Sequence, residues 1–214
     1  MIISIEGNIG SGKSTLLNLL REKYKDSKNI IFVDEPVSEW NNIKDGEKSI
    51  LELFYDDKDK YSFTFQILAY ITRLRKLLQV LENSNKDDVI ICERSIYTDK
   101  YVFAKMLYQQ GYIKEIEWQT YNYWFDTFKV QTLPNRIFYV KTDPIICSNR
   151  IKKRNRNGEN SIAIEYLNHC HQLHEEWLRV NEFSKNNIIT IDGNIELEDS
   201  NKNNYLKNIS MINL

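Results

Sequence analysis

The run Gly7-Asn8-Ile9-Gly10-Ser11-Gly12-Lys13-Ser14-Thr15 spells GxxxxGK[ST], a spacing that can cradle phosphates. Glycines let the backbone turn with its N–H groups aimed inward, a following helix adds the positive end of its dipole, and a lysine supplies a point charge. The hydroxyl of Ser14 is available to a magnesium ion. The context is the one this chemistry requires. Ile2 to Glu6 reads as a strand running into the turn, and Leu16-Leu17-Asn18-Leu19-Leu20 reads as a helix leaving it. A chance glycine turn would lack both flanks, so nucleoside triphosphate binding follows.

Two other groups carry chemistry. Glu35-Pro36-Val37 follows the run Ile30 to Asp34, where the proline disfavours helix at Glu35, and Glu93-Arg94-Ser95 follows Val89 to Cys92. Either glutamate alone would be read as a capping or surface carboxylate. Placed at the ends of neighbouring strands beside a phosphate loop, they point to one cleft. Further on, Arg150, Lys152, Lys153, Arg154 and Arg156 concentrate positive charge. Such a run suits a solvated helix end or a nucleic-acid patch, but it also suits arginines closing on a triphosphate.

The elements that must position these groups are legible. Five runs rich in β-branched residues, Ile2 to Glu6, Ile30 to Asp34, Val89 to Cys92, Ile137 to Lys141 and Ile188 to Ile191, alternate with stretches of helical period. Strands that are apolar on both faces and joined by long crossovers make a parallel sheet with helices on each side. The fold class is α/β, doubly wound, with its ligand crevice at the carboxyl ends of the strands. Tyr61 to Leu81 reads as one long helix whose Gln66, Ala69, Tyr70 and Arg73 share a face. Tyr205 to Leu214 reads as a short last helix after a polar tail.

Composition bounds the rest. The 214 residues suit a single domain spanning 1–214, and no Pro/Gly/Ser linker divides them. With 29 Lys+Arg against 30 Asp+Glu the net charge is -1, so no global basic field recruits nucleic acid or a membrane surface. The expectation is a chain with no transmembrane helix or secretory signal. Three scattered cysteines, Cys92, Cys147 and Cys170, suit a reducing, cytoplasmic setting. Glycine is scarce at seven residues, about half of average usage, yet three of the seven fall between Gly7 and Gly12.

Taken in order, Ile5 to Thr15, Glu35-Pro36-Val37 with Trp40, Tyr61-Ser62-Phe63-Thr64-Phe65-Gln66, Glu93-Arg94-Ser95-Ile96-Tyr97-Thr98-Asp99 and Glu165-Tyr166-Leu167 resemble the deoxynucleoside kinases of the deoxycytidine/deoxyguanosine kinase type. The resemblance runs to about Ile191. It implies a P-loop kinase fold with a five-stranded parallel sheet and an arginine-rich lid at about 150–160. It also implies transfer of phosphate from ATP, or another triphosphate, to the 5′-hydroxyl of a deoxynucleoside, with magnesium held by Ser14 and Glu93. Glu35 would orient the 5′-hydroxyl and accept its proton late. Arg94 would bridge that group and the transferring phosphate, and Lys13 would act catalytically as a point charge on the phosphates. Arg150, Arg154 and Arg156 would close on the triphosphate.

For the acceptor pocket, the resemblance implies that Trp40, Phe65 and Phe103 sandwich the base over a floor of Leu51 and Phe54, with Ala69 beside them. Gln66 would read the base edge, and Arg73 with Asp99 would form a second polar pair next to it. Tyr55 and Glu159 would hold the sugar 3′-hydroxyl. Relatives that accept thymidine tend to carry an uncharged pair where Arg73 and Asp99 stand, so deoxycytidine or a purine deoxynucleoside is expected. A homodimer is the family expectation.

A nucleoside monophosphate kinase of the thymidylate kinase type is the alternative, but it needs extra cations for the acceptor's phosphate. A GTP-binding switch is a third reading. It draws on Asn85-Lys86-Asp87-Asp88, which matches NKxD but precedes its strand instead of following it. His169, His171 and His174 with Cys170 tempt toward a metal site but read as a solvated helix face.

Overall fold

The computed structural model describes residues 1–156, 158–180, 187–196 and 205. Five strands form the main sheet: β1 (Ile2–Glu6), β2 (Ile30–Val33), β5 (Val89–Glu93), β6 (Arg136–Lys141) and β7 (Ile188–Asp192), all parallel, in the order β2-β5-β1-β6-β7. The central strands β1 and β5 are buried along their whole length, which is why they read as mostly apolar runs and not as an alternation of apolar and polar residues. The strand order reverses beside β1, and there the carboxyl ends open a crevice. A small hairpin, β3 (Lys44–Asp45) with β4 (Lys48–Ser49), lies outside this sheet. Its turn runs through Asp45-Gly46, with Gly46 at φ 62°, and Ser49 is its buried end.

Helix α1 (Lys13–Lys23) packs Leu16, Leu17 and Leu20 against Ile3, Ile5, Phe138 and Val140 on one face of the sheet. The opposite face carries Ile137 and Tyr139 into a larger core with α4 (Lys58–Asn83) and α9 (Ile164–Val180). Alternate residues of β6 thus serve opposite layers. Helix α4 starts three residues before the expected Tyr61, because Asp57 caps it by accepting from the Lys60 N–H. Before it, α2 (Val37–Asn42) carries Trp40, and α3 (Ile50–Asp56) is fixed by a capping box between Ser49 and Glu52. That box sets the direction in which Leu51, Phe54 and Tyr55 project.

After β5 the chain forms α5 (Ile96–Thr98), a π-helical turn at Asp99–Ala104, α6 (Lys105–Gln109) and α7 (Glu115–Phe128). The wide turn puts Asp99 and Phe103 on one side, a placement that 3.6-residue periodicity does not describe. Helix α8 (Pro144–Arg154) opens with proline at its first turn and ends where Asn155 turns left-handed at φ 52°. Arg150 and Arg154 therefore stand on a helix and not on a loop. Of the last helix expected at Tyr205 to Leu214, only Tyr205 lies within the described residues, and its ring is buried in the core with Val140 and Ile191. Among the described residues, no helix is long and apolar enough to cross a membrane.

His174 corrects an expectation. It does not sit on a solvated face but is fully buried, with Nδ1 2.7 Å from the Cys170 carbonyl and its ring stacked on Tyr139. Burial first, and then Arg94, holds its pKa well below the usual 6.5. The folded protein therefore binds fewer protons than the unfolded chain once pH drops below about 6.5. Stability is expected to fall in that range, and His174→Phe should flatten that part of a denaturation-versus-pH profile.

Candidate active site

The phosphate loop is shaped by close approach. A Cβ at Gly7 would lie 2.5 Å from the Val140 carbonyl oxygen, and one at Gly10 would lie 2.6 Å from that of Cys147. Lys13 is buried, and its Nζ donates to the Asn8 carbonyl at 2.6 Å, inside its own loop. Burial, with Arg94 nearby, lowers its pKa to about 7. Asn8 also donates from Nδ2 to the Leu167 carbonyl at 2.9 Å, which ties the loop to α9. This gives the segment Glu165-Tyr166-Leu167 a structural task that spacing alone did not reveal. Ser14 Oγ donates to Glu93 Oε1 at 2.7 Å.

Across the crevice, one carboxylate is shared by two guanidinium groups. Glu35 Oε1 accepts from Arg94 Nε and from Arg73 Nη2, each at 3.1 Å. Arg73 also donates from Nε to Asp99 Oδ2 at 2.8 Å and from Nη1 to the Glu93 carbonyl at 2.9 Å. Burial alone would raise the pKa of Glu35, but Arg94 and then Arg73 more than reverse it, to about 2. Burial would likewise discharge Arg73, and Asp99 with Glu35 keeps it cationic. The pair Arg73–Asp99 was expected beside the base edge. Its bonds to Glu35 and to the β5 terminus were not, because they join residues 20 to 38 positions apart.

Arg94 stands at φ 65°, donates from Nη1 to the Gly7 carbonyl at 2.6 Å and lies 4.9 Å above the ring of Phe103. The groups at the ends of β1, β2 and β5 thus face one cavity of about 380 Å³, the size of a small-ligand site. Its lining includes Gly10, Gly12, Lys13, Ser14 and Thr15 of the loop, and Trp40, Leu51, Phe54, Tyr55, Phe65, Gln66, Ala69, Phe103 and Glu159 at the far end. Phe54 and Phe65 stack at 4.8 Å, and Trp40 meets Phe65 edge-on at 5.4 Å. Tyr166 lines the cavity too, a residue to which the sequence assigned no role.

The deoxynucleoside kinase family profile matches residues 3–212. The chain belongs to the deoxynucleoside kinase family. It is 39% identical over 215 residues to the "Probable deoxycytidine kinase" of fowlpox virus, covering 97% of this chain and 86% of that one. The deoxycytidine kinase of Bos taurus is 36% identical, with 92% of this chain and 85% of the relative covered. The mitochondrial deoxyguanosine kinase of Xenopus laevis is 35% identical, with 82% and 72% covered.

In this deoxynucleoside kinase the basic run after β6 divides into two uses. Arg150 donates to backbone carbonyls, at 3.3 Å to Ser11, 2.8 Å to Gly193 and 3.1 Å to Ile195, joining the phosphate loop to the segment after β7. Arg154 and Arg156 instead pair with Glu159, which is buried. The carboxylate expected at the sugar is therefore also the partner of two arginines expected at the phosphates. The decoys resolve locally. Asn85 to Asp88 is a turn closed by the Asn85 N–H on Asp88 Oδ2 at 2.7 Å. Cys170 packs its sulfur 3.7 Å from that of Met106, and no metal-binding group of three His, Cys, Asp or Glu occurs among the described residues.

The lowered pKa of Lys13 has a consequence for the kinase. A phosphate donor held by the charged amine would have to bring a proton onto Lys13 to bind above pH 7. The KM for the nucleotide phosphate donor is expected to rise from pH 7 to pH 9 by up to about tenfold per unit, a slope that Lys13→Arg should remove.

Proposed function

We propose that the chain transfers the γ-phosphoryl group of ATP, with magnesium, to the 5′-hydroxyl of deoxycytidine or a purine deoxynucleoside in preference to thymidine. One observation carries this reading. At the acceptor end, the charges of Arg73 and Arg94 are already balanced by Glu35 and Asp99. A neutral nucleoside fits that balance, whereas a monophosphate would bring about two further negative charges onto Glu35. This disfavours the thymidylate kinase alternative.

The shared cavity supports the roles that the resemblance implies. The base would lie between Phe103 and the Trp40–Phe65 wall, with the amide of Gln66 giving and taking one hydrogen bond at its edge. Tyr55 and Glu159 would hold the 3′-hydroxyl, which brings the 5′-hydroxyl toward Glu35. Phosphoryl transfer is loose, so a carboxylate with a pKa of about 2 serves chiefly to orient the nucleophile, taking the proton only late. The backbone N–H groups of 7–15 and Lys13 cradle the triphosphate, and Arg94 leans from Glu35 toward the transferring group. Arg154 and Arg156 would swing from Glu159 onto the phosphates, while Arg150 braces the loop.

Ser14 Oγ and Glu93 Oε1, 2.7 Å apart, are two hard oxygen donors and suit magnesium, which takes few protein ligands and keeps waters. Bound there, the ion supplies positive charge against the phosphate oxygens.

A single domain and a homodimer complete the reading. Helices α4 and α7 leave Ile71, Ile116, Tyr123 and Trp124 exposed, an apolar face that suits a second copy. The three buried free cysteines suit the reducing cytoplasm. A kinetic panel of the four deoxynucleosides with ATP tests the substrate reading. Deoxycytidine or a purine should lead in kcat/KM, and a clear lead for thymidine would overturn it.

A further inference from the structure

Glu6, the last residue of β1, is fully buried and takes no part in the chemistry above. Its carboxylate accepts hydrogen bonds from three hydroxyls, those of Ser4 and Thr98 and that of Ser95 at 2.6 Å. Among the described residues its partners are hydroxyls and not a cation. Burying a carboxylate is costly unless such bonds replace its lost hydration. A leucine would serve the core alone, so the position calls for a task that needs an acceptor.

The origin of the hydroxyls shows the task. Ser95 precedes α5, yet its hydroxyl caps nothing there, because it is spent on Glu6. Thr98 adjoins Asp99, the partner of Arg73. Arg94 precedes Ser95 and holds a left-handed backbone that a non-glycine residue rarely adopts without support. The neighbours of Glu6 grip Arg94 directly. The Arg94 N–H donates to the Ile5 carbonyl at 3.0 Å, and its Nη1 donates to the Gly7 carbonyl at 2.6 Å. Ile5, Glu6 and Gly7 thus hold the pair Arg94–Ser95 by backbone, hydroxyl and guanidinium in turn.

We infer that Glu6 is a positioning residue for phosphoryl transfer. Through Ser95 and Thr98 it keeps Arg94 in its left-handed conformation, with the guanidinium between Glu35 and the phosphate loop. This rests on the reading above, in which Arg94 acts at the transferring group. The isosteric Glu6→Gln should lower kcat by roughly 10- to 100-fold, with the KM for deoxynucleoside within about twofold.

The discriminating readout is a double-mutant cycle. If Glu6 acts through Arg94, then Glu6→Gln combined with Arg94→Ala is no slower than Arg94→Ala alone. Multiplying losses would overturn the inference while leaving Arg94 in its role. An Arg94→Ala enzyme at the wild-type rate would instead sink the role of Arg94, and the inference with it. Should Glu6→Gln fail to fold, Ser95→Ala and Thr98→Val read the same linkage. Each should lower kcat non-additively with Arg94→Ala, and unchanged kcat in both would overturn the inference.

Discussion

Glu35→Gln is expected to lower kcat by a factor of order 10² or more while the KM for deoxynucleoside barely moves. The amide keeps the shape of the side chain and one oxygen, so the base and sugar contacts at the far end of the cavity persist. What is lost is the negative charge that faces Arg94 and Arg73 at 3.1 Å and would orient the 5′-hydroxyl. Because that charge is secured to a pKa of about 2, the wild-type rate should show no acidic limb from Glu35 between pH 5 and pH 7. A variant that retains most of its rate removes Glu35 from the mechanism.

Arg73→Met combined with Asp99→Ala is expected to raise the ratio of thymidine to deoxycytidine kcat/KM by about tenfold or more, since a matched polar pair rejects substrates that leave it unpaired. The two changes have to be made together. Asp99 keeps only 3% of its side chain exposed, and removing Arg73 alone would strand that carboxylate at a cost of about 3–5 kcal/mol. Thermal melts should therefore show the single variant Arg73→Met less stable than the pair. The double variant should also be slower on deoxycytidine, because Arg73 is one of the two guanidinium groups on Glu35. An unchanged thymidine rate would reject this account of the pocket.

Much of this was legible in the sequence because the decisive signals are local. The phosphate loop is one continuous run, the core strands are apolar on both faces, and Glu35 and Glu93 stand where strands end. The rest depends on contacts between distant residues. No spacing rule joins Arg73 to Glu35, Asn8 to Leu167 or Glu6 to Thr98, since each pair meets only once the strands are ordered β2-β5-β1-β6-β7. The π-helical turn that aims Asp99 and Phe103 breaks the periodicity by which helices are read. Arg154 and Arg156 pair with Glu159, a link that their separate expected roles at the phosphates and the sugar gave no reason to look for. His174 shows the converse, a polar residue that periodicity put outside and aromatic packing drew in.

The central claim is that the acceptor is a nucleoside hydroxyl positioned at Glu35. A coupled assay of ADP release, run with the deoxynucleosides and in parallel with their 5′-monophosphates, tests it most directly. The account predicts turnover on deoxynucleosides, led by deoxycytidine or a purine, and little on the monophosphates. Turnover with monophosphates alone would contradict it.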